Sequence, residues 1–184
     1  MIDTLLQMDG AILLFIQDHI RQEWMDWFWK AVTHLGDGGI LWILLGIILL
    51  FSKKTRPAGV AALLALLVGA LITNVCLKNF VARIRPYEVV EGLRLMIERQ
   101  RDYSFPSGHT SASFAAACAL VRTLPPKWGI ACVILAGVIA LSRLYVGVHY
   151  PTDVLGGMAV GIFAGWAGWK LMQMLQMEKK RRSG

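Results

Sequence analysis

The chain has 184 residues, 56% of them hydrophobic and 17% charged, with a mean hydropathy of +0.54. An ordinary soluble domain carries about 45–50% apolar and about 25% charged residues, and disorder needs low hydrophobicity with high charge; both classes are excluded in favour of an integral membrane protein. The net charge of +7 then points to an anionic lipid surface and not to nucleic acid.

Residues 5–20 carry apolar positions at helical spacing, interrupted by Asp9, Gly10 and Asp18. Trp24, Trp27, Phe28 and Trp29 follow. Trp belongs at the membrane–water boundary, so residues 1–35 are predicted to form interfacial amphipathic helices, with a sixth span as the alternative. A spanning helix needs about 20 mostly apolar residues, and five such runs follow. One lies between Asp37 and Lys53, and one between Arg56 and Lys78 that contains no charged residue. A third runs over residues 105–121, between Asp102 and Arg122, and a fourth over 128–142. The fifth starts near Asp153 and reaches about Met177, with Lys170 its only charge after Asp153, placed where it can snorkel.

The prediction is an all-α, integral membrane helical bundle of about five transmembrane helices plus the N-terminal interfacial helices. It is read as one domain, with a bundle over 36–177 and a basic tail over 178–184. Lys53, Lys54 and Arg56, then Arg122 and Lys127, then Lys179, Lys180, Arg181 and Arg182 mark cytoplasmic connections. Five spans then place the 78–105 loop and the 143–152 connection together on the outer face. Gly157, Gly161 and Gly165 recur every four residues, as do Ala61, Ala65 and Gly69, which lets helix backbones approach within the bundle or across an oligomer. Cys76, Cys118 and Cys132 sit in apolar runs without metal-ligand spacing and read as small core residues.

Three clusters stand at the outer ends of the predicted spans. In the first, Lys78 and Arg85 are seven residues apart, two helical turns, and Pro86 is expected to end that helix. The second is Pro106-Ser107-Gly108-His109, a span start with an N-cap serine, free backbone N–H groups and a dipole that favours an anion. The third is Ser142-Arg143, then His149 and Asp153, with Pro151 at a helix start. His19 and His34 read as structural residues, and Arg83, Arg94, Arg99 and Arg101 as solvated or headgroup-facing.

Two histidines, three cations and one aspartate gathered at one membrane face are costly to keep and point to function. The set suits phosphoryl transfer without a metal. Lys78, Arg85 and Arg143 can surround the non-bridging oxygens, with the Ser107 hydroxyl and the Gly108 N–H as neutral donors. Asp153 can accept the Nδ1 proton of His149 and leave Nε2 as the nucleophile. His109 is then the general acid for the leaving oxygen and later the base for water.

These clusters resemble, in order and in register, the tripartite signature of the type 2 phosphatidic acid phosphatase family: Lys78/Arg85/Pro86, Pro106/Ser107/Gly108/His109 and Ser142/Arg143/His149/Asp153. The resemblance implies a membrane-embedded phosphatase acting through a phosphohistidine at His149, with His109 as acid and base and no metal cofactor. The small size is similar to bacterial undecaprenyl diphosphate phosphatases and phosphatidylglycerophosphate phosphatases. The resemblance therefore implies a lipid phosphate or diphosphate as substrate and membrane lipids as surroundings, in a cell membrane with the site outward. Two other classes share part of this pattern: the vanadium-dependent haloperoxidases, which are large and soluble, and a catalytically silent lipid-phosphate binder, which would not need both histidines.

Overall fold

Proline and glycine set most of the helix starts. The computed structural model describes residues 2–183, leaving Met1 and Gly184 of the predicted terminal segments outside, and every regular element among the described residues is a helix. Nine α-helices are α1 (Ile2–Phe15), α2 (Glu23–Leu35), α3 (Ile40–Leu50), α4 (Arg56–Ala70), α5 (Lys78–Val81), α6 (Pro86–Val89), α7 (Gly108–Leu120), α8 (Pro126–Tyr145) and α9 (Pro151–Ser183). Pro57, Pro86, Pro126 and Pro151 each stand in a first turn, where the missing N–H costs nothing and φ is preset. Between α2 and α3, Gly38 (φ 58°) and Gly39 (φ 68°) take the left-handed conformation that only glycine adopts without penalty.

Among the described residues, three helical stretches are long and apolar enough to cross a membrane: Arg56–Val89, Pro126–Tyr145 and Pro151–Arg182. A fourth arises if Glu23–Leu35 and Asp37–Leu50, bent by 45°, act as one broken span. Trp24 and Trp27 project outward from α2. The run predicted over 37–53 is therefore the second half of a bent pair, a geometry that the glycines at the joint allow.

The run predicted over 105–121 is α7, whose 13 residues rise only about 20 Å. It is shorter than a free-standing span because it is wrapped by other helices: α4, α8 and α9 all pack against it. Ser111, Ser113, Ala115, Ala116, Ala117 and Ala119 are fully buried, and such small side chains let neighbours approach closely. A Cβ built on Gly157 would stand 2.6 Å from the Ser107 carbonyl oxygen, and one on Gly161 2.7 Å from that of Ser111. The glycine stripe thus faces α7 inside the bundle. Leu44, Ile48, Phe51, Leu67, Ile134 and Phe163 point outward, an apolar exterior suited to lipid.

The α7–α9 contact has little room for added volume. A Cβ on Gly165 would lie 2.5 Å from the Cys118 Cβ, whereas Gly137 has open space around it. Gly165→Val is expected to destabilise the protein by about 1–3 kcal/mol through overpacking, with Gly137→Ala neutral or slightly stabilising. Denaturation in mixed micelles checks both.

Candidate active site

The first cluster reaches its place by a different route from the predicted one. Leu71–Leu77 is a π-helical stretch, α5 is a single turn, and Ala82 breaks the helix in the left-handed region at φ 47°. Lys78 and Arg85 are therefore not two turns apart on one helix. Pro86 starts α6 and does not end a helix, with Arg85 extended before it, because proline drives the preceding residue out of the helical region. The two cations nevertheless converge on Asp102. Lys78 Nζ bonds to Oδ2, Arg85 Nη2 to Oδ1 at 2.5 Å, and Arg85 Nε to the Asp102 carbonyl at 2.9 Å.

The second and third clusters are joined directly, since the Ser107 N–H donates to the Asp153 carbonyl at 3.0 Å. Ser107 caps α7 as predicted: its hydroxyl accepts from the Thr110 side chain at 3.0 Å and, weakly, from the Thr110 N–H at 3.4 Å. His149 lies in the turn between α8 and α9, which Gly147 makes at φ 78°. Its Nδ1 faces Asp153 Oδ2 at 3.4 Å and its Nε2 lies 3.4 Å from Arg85 Nη1. Asp153 is fully buried and well supplied with donors. Oδ2 accepts from the Ser104 hydroxyl at 2.5 Å and the Tyr150 N–H at 2.9 Å, and Oδ1 from Arg83 Nη1 at 2.7 Å.

Arg143, 1% exposed, bonds Thr33 on α2 through Nη1, while its Nε is buried without a partner among the described residues. A buried, unpaired guanidinium N–H is costly, and an anion would relieve it. His109 is held from the other side, its Nε2 2.8 Å from Asp37 Oδ1. A cavity of about 350 Å³ joins Asp37, His109, Gly108, Lys78 and Asp102 to an apolar wall that includes Leu66. A second, of about 580 Å³, is lined by Arg83, Arg85 and Arg101 and shares Lys78 and Asp102 with the first. His149, Arg143, Ser107 and Asp153 form the buried layer of the site.

All eight sequence-named residues, His149, His109, Asp153, Lys78, Arg85, Ser107, Gly108 and Arg143, thus lie in one connected region. Reading Arg83 as solvated is corrected. It is largely buried, ion-paired to Asp9 and Asp153 at 2.7 Å each, and stacked 3.8 Å above the Tyr150 ring. Sequence reasoning also missed Asp9, Asp37, Asp102 and Ser104. Their only sequence signal is that Asp9 and Asp37 are acids beside apolar runs, where a charge without a partner is expensive.

The electrostatics outside the spans follow from this packing. Burial, against the pull of Asp153 and with Arg85 and Arg143 nearby, pushes the His149 pKa down to about 3. Asp102 would be raised by burial, but the bond and charge of Lys78 and the charge of Arg85 hold it down to about 2. At neutral pH His149 is therefore an uncharged ring beside a layer of cations, and Asp102 is their ionised partner.

These features define a membrane-embedded helical bundle with a cationic, histidine-bearing pocket built from short loops and helix ends. The model of the PAP2 superfamily matches residues 58–177, and the chain belongs to that family. An undecaprenyl-diphosphatase of Sulfolobus acidocaldarius is 34% identical over 66% of this chain, a match spanning 58% of that relative's length. Phosphatidylglycerophosphatase B of Bacillus subtilis is 37% identical over 78% of this chain and 73% of its own. The crystal structure of a transmembrane PAP2-type phosphatidylglycerolphosphate phosphatase from Bacillus subtilis superposes with a TM-score of 0.75 at 28% identity, covering 95% of this chain and 87% of that one.

A histidine whose pKa is lowered on folding supports the folded state fully above about pH 6.5 and loses that contribution as pH falls from there through about 3. Nitrogen NMR of the labelled protein in micelles is expected to show His149 neutral, with Nδ1 protonated, from pH 8 down to pH 5. Titration of this ring near pH 6.5 would contradict the buried geometry.

Proposed function

We propose that this protein is a metal-independent lipid phosphatase that works through a phosphohistidine on His149, with undecaprenyl diphosphate as the favoured substrate and undecaprenyl phosphate as product. The observation that carries the reading is the convergence of Lys78, Arg85, Arg143 and the His149–Asp153 pair beside His109. The substrate phosphate replaces the Asp102 carboxylate as partner of Lys78 and Arg85, while Arg143, the Ser107 hydroxyl and the Gly108 N–H complete its coordination. His149 Nε2 attacks phosphorus as Asp153 holds the Nδ1 proton, so a P–N bond forms and the bond to the lipid oxygen breaks. His109 protonates that oxygen as it leaves. It then takes a proton from water, whose oxygen attacks phosphorus, the P–N bond breaks and inorganic phosphate is released.

The orientation proposed is an outward-facing site, with residues 1–35 lying at the outer interface and the tail in the cytoplasm. Its support is the clustering of basic connections away from the site. Lys53 and Arg56 line one cavity with Lys179, and Lys54 lines another with Thr123 and Pro125, which supports reading that end of the bundle as the cytoplasmic one. An outward site suits an isoprenoid diphosphate released outside the cell. The relatives act on both isoprenoid diphosphates and phosphatidylglycerophosphate by their names, which makes the latter the second reading.

Phosphate release in detergent with EDTA, comparing undecaprenyl diphosphate, phosphatidylglycerophosphate and phosphatidate, decides between them. The favoured reading predicts the highest kcat/KM on the diphosphate and a loss of at least about 10²-fold in His149→Ala and in His109→Ala. Preference for phosphatidylglycerophosphate moves the enzyme to phospholipid synthesis, and an obligatory metal requirement contradicts the scheme.

A further inference from the structure

The turn between α2 and α3 brings a carboxylate to His109 that lies outside the three sequence clusters. Asp37 Oδ1 stands 2.8 Å from His109 Nε2, and Asp37 Oδ2 stands 2.8 Å from His34 Nδ1. His34, read from the sequence as structural, is thus the outer end of a His34–Asp37–His109 chain. Both bonds lock the carboxylate in one orientation, and both hold its pKa below the ordinary carboxylate value against partial burial. The backbone around it is shaped for this approach. A Cβ on Gly36 would lie 2.6 Å from His109 Cδ2, so only glycine lets the turn pass against the ring, while Gly38 and Gly39 curl the chain at positive φ.

We propose that Asp37 is the positioning residue for the proton-transferring histidine: it holds the proton on His109 Nε2, stabilises the imidazolium, and leaves Nδ1 as the atom that exchanges protons with substrate and water. His109 Nδ1 has no hydrogen-bond partner among the described residues, and the ring lines the larger-walled side of the cavity with Lys78, Gly108 and Asp102. The site therefore carries two carboxylate–histidine pairs of opposite use. Asp153 faces Nδ1 of His149 and frees its Nε2 for attack, whereas Asp37 bonds Nε2 of His109 and frees its Nδ1 for proton transfer. The remaining charges facing His109 are Arg143 from α8 and Lys78 from α5. Burial opposes a proton on the ring most strongly and both cations add to it, which makes Asp37 the local counterweight.

This inference rests on the reading of His109 as the proton donor, and leaving-group dependence separates the two. A lipid phosphate monoester such as phosphatidylglycerophosphate releases a poor alkoxide that needs the proton, whereas p-nitrophenolate, like the phosphate oxygen released from a lipid diphosphate, needs it far less. The kcat/KM value isolates the step in which the leaving group departs. Asp37→Asn is expected to lower kcat/KM about 10- to 100-fold on phosphatidylglycerophosphate, whose leaving group is an alkoxide, but less than about threefold on p-nitrophenyl phosphate. Asp37→Glu should recover much of the loss, and the basic limb of the kcat–pH profile should move to lower pH in Asp37→Asn. Equal losses on both substrates, or none on the lipid with an unmoved profile, would overturn the role of Asp37. His109→Ala is the control for the reading beneath it. If its own loss is the same on both substrates, the proton-donor assignment fails and the inference falls with it; if His109→Ala is selective and Asp37→Asn is not, Asp37 alone is rejected.

Discussion

The buried carboxylate of Asp153 is the group on which fold and site both depend. Its side chain gathers Ser104, the Tyr150 N–H, Arg83 and the imidazole of His149, and its carbonyl receives the N–H of Ser107. Arg83 continues the network to Asp9 on α1, whose carboxylate also accepts from the Thr152 N–H. One residue, with Arg83 as its extension, thereby ties together the N-terminal helix, the loop before α7, the cap of α7 and the start of α9. Breaking a buried ion pair by removing one partner costs about 3–5 kcal/mol, because the other charge is left uncompensated. The network therefore fixes the position of His149 more firmly than its own turn could.

A second layer of charge is built with a different purpose. Lys78 and Arg85 share the Asp102 carboxylate, which is half exposed at 53% of its side chain, while Arg143 keeps one guanidinium N–H buried and unpaired. Asp153 is enclosed and permanently engaged; Asp102 is reachable and exchangeable. Carboxylate and phosphate oxygens offer guanidinium groups the same paired geometry, so this layer is preorganised for an anion without requiring the bundle to rearrange. Small residues make the arrangement possible from below. The glycine stripe of α9 lets α7 approach closely enough that its N-terminal turn, with Ser107 to His109, meets the third cluster.

Much of this was legible in the sequence, for physical reasons. Long apolar runs marked α4, α8 and α9, a serine before Gly-His marked the start of α7, and glycines four residues apart marked its contact with α9. Local rules govern each of these features. The course of the first cluster was not legible, because nothing in residues 71–85 announces a π-helical stretch or a left-handed alanine. That α7 is enclosed by α4, α8 and α9 was not legible either, because composition cannot tell a helix wrapped by protein from one facing lipid. Asp9, Asp37 and Arg83 were missed or misread for a common reason. The Arg83 pairs cross about 70 residues of sequence and the Asp37–His109 pair 72, and only the folded bundle brings such groups together.

The central claim is that His149 becomes covalently phosphorylated, and rapid acid-free quenching of the detergent-solubilised enzyme during turnover of a radiolabelled lipid phosphate tests it most directly. The account predicts an acid-labile, alkali-stable phosphoryl adduct that peptide mapping places on Nε2 of His149 and that is absent from His149→Ala. An adduct on another residue, or full turnover by His149→Ala, would contradict it.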